Sequence, residues 1–169
     1  GHMQYSQRDP NRDHIHGRIY RMYCKDKPLL KPVTQHGKSV AELLEQLKEY
    51  EWRTRSRARR EIEGKPAAEV LPVVKEWVSK QNPSAKDYDR LCCEALWLQQ
   101  SYHQVDQELL KKVLACKTVD ARSAAARVVS DSHENISNAF DLLKVAALDE
   151  HPRVRTEALR GLSFFPTGD

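Results

Sequence analysis

Arg122-Ser123-Ala124-Ala125-Ala126-Arg127-Val128-Val129 and Arg155-Thr156-Glu157-Ala158-Leu159-Arg160-Gly161-Leu162 share one pattern: Arg, two residues, Ala, one residue, Arg, one residue, an apolar side chain. Arg55-Ser56-Arg57-Ala58-Arg59-Arg60-Glu61-Ile62 repeats it a third time. A fourth copy, Cys92-Cys93-Glu94-Ala95, keeps the alanine but has cysteine in the arginine slot. The marker alanines Ala58, Ala95, Ala125 and Ala158 are 37, 30 and 33 residues apart. Self-similarity at that period implies stacked two-helix units, each burying its apolar stripe against the next.

Working outward, helical periodicity begins at Ser39 and persists. Ser39 with Glu42 forms a capping-box signature, and Val40, Leu43, Leu44 and Leu47 follow at helical spacing. Seven more stripes follow. They run from Trp52 to Ile62, Val70 to Val78, Tyr88 to Leu96, Leu109 to Leu114, Ala121 to Val129, Ile136 to Ala147, and Val154 to Leu162. Pro72 is read as lying in the first turns of the third helix, where a missing amide costs least. The expected fold is all-α: an α-solenoid of about four helix pairs over residues 39–169. Residues 1–38 precede it as an extended segment containing one strand, Arg18 to Cys24, whose polar–apolar alternation and aromatic content suit a strand. A lone strand cannot satisfy its own backbone groups, so it must join a sheet supplied elsewhere or lie extended. Gly1-His2-Met3 is read as a tag remnant, and the remainder as cut from a longer protein.

Composition narrows the function. Of 169 residues, 40% are hydrophobic and only 7% aromatic, enough for a lean core rich in Leu, Val and Ala. The formal charge of +4 is uneven: residues 4–38 carry +5 and the remainder −1. A nearly neutral repeat body argues against a nucleic-acid partner, which needs positive charge on the folded surface. No apolar run is long enough to span a membrane. Cys24, Cys92, Cys93 and Cys116 lack the spacing of zinc, thiol-redox or haem-attachment motifs. His14 and His16 beside Asp13 lack a third fixed ligand, so no metal is expected. No catalytic residue and no cofactor is assigned to this chain.

Candidate interface residues are Arg53, Arg55, Arg57, Trp97, Arg122 and Arg155. Arg55, Arg122 and Arg155 recur once per repeat. They could form a guanidinium ladder for carboxylates or phosphates, or tie the repeats together through nearby acids and helix ends, and the second reading is favoured. Arg53, Arg55, Arg57, Arg59 and Arg60 form a dense basic cluster diluted by Glu51, Glu61 and Glu63. Trp52 and Trp77 stand at core-compatible positions, whereas Trp97 projects off the stripe of Ala95 and Leu96, as an interface tryptophan would.

His151-Pro152-Arg153-Val154-Arg155-Thr156-Glu157-Ala158-Leu159-Arg160-Gly161-Leu162 resembles the second helix of a HEAT repeat, with Val119-Asp120-Ala121-Arg122 and Glu51-Trp52-Arg53-Thr54-Arg55 as weaker copies. Separately, His14-Ile15-His16-Gly17-Arg18-Ile19-Tyr20-Arg21 followed by Lys31-Pro32 resembles a junction in a bacterial protein family. In that family a sugar-dehydrogenase-like β-propeller passes into HEAT-like repeats and then a c-type cytochrome domain, and its members are labelled membrane-bound dehydrogenases or haem-binding proteins. The resemblance implies that the strand closes a propeller blade. It also implies periplasmic or cell-envelope residence, neighbouring domains of the parent or another protein as partners, and haem held elsewhere in the parent.

Overall fold

The computed structural model describes residues 31–166 and, before them, 10, 13, 15–17 and 19–29. The chain falls into two units divided between Pro32 and Val33.

The described residues of the first unit form turns and extended backbone without a ladder. The expected strand is therefore not formed over Ile19 to Cys24, and Arg18 lies outside the described residues, as does His14. Ile19, Tyr20, Met22 and Tyr23 are exposed. Their strand-forming composition finds no partner edge among the described residues, and an unpaired strand gains nothing over hydrated extended chain.

The second unit is all-helical among the described residues. Its helices are α1 (Val40–Gln46), α2 (Trp52–Glu63), α3 (Ala67–Ser79), α4 (Tyr88–Ser101), α5 (Gln107–Leu114), α6 (Val119–Asp131), α7 (Ala139–Ala146) and α8 (Pro152–Leu162). A 3-10 turn, His133–Asn135, precedes α7. Starts follow local chemistry. Ser39 and Glu42 close the expected capping box on α1, and Asp106 accepts from the amides of Glu108 and Leu109 at α5. His151 accepts from Arg153 N–H at α8, with Pro152 at the first helical position. Residues before α1 are tied down as well: Gln46 donates to the Thr34 carbonyl and Gln35 to the Gln46 side chain, both at 3.0 Å.

Two positions differ from the sequence reading. Trp52 is 61% exposed, because the buried face of α2 runs through Thr54, Ala58 and Ile62. Pro72 sits well inside α3, since that helix already starts at Ala67.

Consecutive helices pair as α1–α2, α3–α4, α5–α6 and α7–α8, and the second helices touch in order: α2 with α4, α4 with α6, α6 with α8. The first apolar cluster gathers Leu43, Leu44, Leu47, Ile62, Val70 and Val74; the second gathers Leu96, Leu110, Val113, Val129, Leu143 and Val154. α4 serves both, giving Leu91, Ala95 and Leu98 to the first and Cys92, Cys93 and Leu96 to the second. The marker alanines are all fully buried, as close helix approach requires. The closest approach is at Gly161 of α8, where a Cβ would lie 2.9 Å from both Leu143 methyls and from Ser130 Cβ.

Two glycine substitutions should therefore act oppositely. Gly161→Val should lower stability by about 1–3 kcal/mol through overpacking. Gly64→Ala should raise it by about 0.4–1 kcal/mol, because Gly64 has right-handed helical φ/ψ (−76°, −5°) and its Cβ would meet nothing closer than 3.6 Å. Chemical denaturation of both variants checks the signs. Ser130 supplies an independent check. Its hydroxyl is buried without a partner at the same crossing, so Ser130→Ala should be neutral or stabilising, by up to about 1–2 kcal/mol.

Candidate functional site

The three repeated arginines make the same contact. Arg55 Nη1 donates to the carbonyls of Glu49 (2.9 Å) and Tyr50 (3.0 Å). Arg122 Nη1 donates to those of Cys116 and Lys117, both at 3.1 Å. Arg155 Nη1 donates to those of Asp149 and Glu150, both at 2.9 Å. Each guanidinium thus reaches back six and five residues, across the turn joining the two helices of its hairpin. It satisfies carbonyls of the connecting turn, which lie beyond the end of the first helix. In the second hairpin Cys92 fills the equivalent position and is buried. There Arg90 instead donates to the Leu47 carbonyl at 2.8 Å, bridging to the end of α1.

Arg122 does more. Its Nε and Nη2 form a paired contact with Asp149 at 2.8 and 3.0 Å, and Nη2 also reaches Glu150 at 3.2 Å. The guanidinium is buried among these partners. Its hydrogen bond holds the Asp149 carboxyl below its ordinary value of 3.8, while burial pulls the other way and the His151 amide assists. Such a side chain is a fastening between hairpins.

The six candidate interface residues do not converge. Arg55, Arg122 and Arg155 belong to the hairpin turns. Arg53 is exposed on α2, and Arg57 lines a shallow depression of about 390 Å³ with Arg60, His36 and Glu61. Trp97 alone borders a substantial groove of about 640 Å³ along α4, α6 and α8.

Arg90, Trp97, Asp120, Arg127, Arg153 and Glu157 rim that groove, and Cys93, Ala121 and Ala124 form its floor. Its charges are paired across helices. Arg127 lies 3.1 Å from Glu157, and Arg153 meets Asp120. Behind the rim the Glu94 carboxylate, 2% exposed, accepts from Arg59 Nε at 2.7 Å and lies 3.8 Å from Arg90. Arg59 in turn stands 5.7 Å from the centroid of the Trp97 ring. Trp97 is 36% exposed, and its indole N–H and the Ser123 hydroxyl have no partner among the described residues. The groove therefore offers an aromatic face, two free polar atoms and paired charges above a floor of small residues.

These groups suit binding better than reaction. Burial pushes the Cys93 thiol up to about 12, with Cys116 and Cys92 nearby adding to it, so no thiolate forms near neutrality. The Ser123 hydroxyl has no base hydrogen-bonded to it. Among the described residues no three His, Cys, Asp or Glu side chains gather as metal ligands, and no helix is long and apolar enough to cross a membrane. Sequence reasoning found Trp97 but missed Arg90, Arg127 and Arg153. The available signal was a carboxylate one repeat away from an arginine: 30 residues separate Arg127 from Glu157, and 33 separate Asp120 from Arg153.

Arg122→Ala should cost roughly 3 kcal/mol, since it strands a buried carboxylate. Arg155→Ala, which releases only carbonyls, should cost about 1 kcal/mol. The Asp149 contribution is complete above pH 3.8 and is lost as pH falls through the depressed native value. Acid titration of Asp149→Asn should accordingly show a shallower decline below pH 4 than the parent chain.

Comparison with models of protein families, with curated proteins and with solved structures finds no match to this chain, so its functional reading rests on the residues described above.

Proposed function

We propose that the helical unit is a HEAT-like α-solenoid of four hairpins. It acts as a non-catalytic scaffold or protein-interaction module within a larger dehydrogenase–cytochrome protein of the cell envelope. The observation that carries the repeat reading is the arginine reach-back at six and five residues, made alike by Arg55, Arg122 and Arg155. Principal helix contacts that fall within one hairpin or between adjacent hairpins, and the ordered row α2, α4, α6, α8, support it. The redox setting rests on the resemblance of the His14 to Arg21 stretch alone. In this reading haem and substrate chemistry belong to other domains of the parent, and the groove beside Trp97 receives a segment of a neighbouring domain or a partner protein.

The alternative from the sequence is a solenoid gripping nucleic-acid backbone. The groove speaks against it, because Arg127 and Arg153 are already met by Glu157 and Asp120.

Titration with the separately produced propeller and cytochrome domains expected in the parent tests the proposal. Trp97→Ala should weaken that association at least tenfold while leaving the helical circular dichroism unchanged; unaltered affinity overturns the interface. Duplex DNA should show no binding at physiological salt, whereas tight binding with steep salt dependence favours the alternative. Turnover of sugars with an electron acceptor by this chain alone would refute the non-catalytic assignment.

A further inference from the structure

A second open cavity, about 610 Å³, lies beside the start of α4 and the turn between α5 and α6. Its charges, unlike those of the groove, are unmatched. The unit that begins at Val33 contains ten lysines. Lys38, Lys48, Lys65, Lys75, Lys80 and Lys111 each lie within 3.9 Å of a carboxylate. Lys144 sits over the Phe140 ring. The remaining three, Lys86, Lys112 and Lys117, all line this one cavity, and none has a carboxylate partner. Lys112 is positioned without being neutralised: Nζ donates to the Tyr88 hydroxyl at 2.5 Å and stands 5.1 Å from the ring centroid. The lone carboxylate on the wall, Asp89, is engaged by the Thr118 hydroxyl.

That last contact has a second effect. Thr118 is the N-cap of the thirteen-residue α6, yet its side chain does not cap the helix. The N-cap residue itself therefore stands on the wall of the cavity, and the positive end of the α6 dipole lies next to the three cations. Three ammonium groups against the single Asp89 carboxylate leave the cavity net positive, and an anion relieves that excess. Ammonium groups act as point charges with freely rotating donors, a common means of holding phosphate oxygens. The volume falls within the roughly 300–1,000 Å³ of small-molecule sites, and Pro83, Ala85 and Ala115 give it an apolar wall.

We propose that this cavity binds a small phosphate-bearing molecule, its phosphate oxygens held by Lys86, Lys112 and Lys117 and its organic part resting on the wall of Pro83, Ala85 and Ala115. The site is independent of the scaffold reading and of the groove.

The test is titration of the whole chain with inorganic pyrophosphate at constant ionic strength, followed by backbone amide NMR and thermal denaturation. Saturable shifts at Lys86, Lys112 and Thr118 with a rising thermal midpoint are expected. The combined Lys86→Gln, Lys112→Gln, Lys117→Gln variant should bind at least tenfold more weakly, while Arg53→Gln, Arg57→Gln, Arg60→Gln on α2 should bind as the parent does. Lys117→Gln alone, at an exposed turn position, should weaken binding about threefold and serves if the triple variant fails to fold. Non-saturating shifts, unchanged affinity in the lysine variants, or equal loss in the α2 variant would overturn the proposal. Citrate competing as well as pyrophosphate would overturn the phosphate assignment.

Discussion

The architecture depends on a guanidinium turned back over the bend of its own hairpin. The short turn that joins two helices leaves carbonyls directed at the following helix, and each needs a donor. Arg55, Arg122 and Arg155 supply those donors from the first turn of the following helix. The bend can then be short and close to the core. The buried alanine three residues later, on the same helical face, lets the next hairpin approach. Arginine and alanine thus recur together because one seals the turn and the other opens room for the stack.

Hence the arginine contact was marked in the sequence of three of the four hairpins. The second was obscured because Cys92 replaces the arginine, and its longer connection, residues 80–87, delivers Arg90 to the end of α1 instead. Local periodicity also misplaced Trp52: Thr54 and Trp52 are both compatible with an apolar stripe, and only the neighbour α1 determines which one is covered. The segment from Ile19 to Cys24 has the composition of a strand, but a strand is defined by an edge to pair with, and composition cannot supply one.

The groove was legible only at Trp97, for a different reason. Its rim is assembled across repeats, by Arg127 with Glu157 and Arg153 with Asp120, so each pair is separated by a full period. Reading charges within a helix gives Arg127 the partner Asp131, four residues on, yet in space Asp131 meets Arg160 and Arg127 meets Glu157. The lysine cavity shows the converse. Its members look like ordinary surface charges in sequence, and only the pairing of most other lysines of the helical unit sets them apart.

The double allegiance of α4 has a consequence for how the molecule comes apart. Loosening that begins at α1 erodes one cluster and loosening that begins at α8 erodes the other, but both must stop at a helix whose opposite sides are held by different cores. Fraying from either terminus is thereby insulated from the other end, and the central helix becomes the last segment to admit solvent.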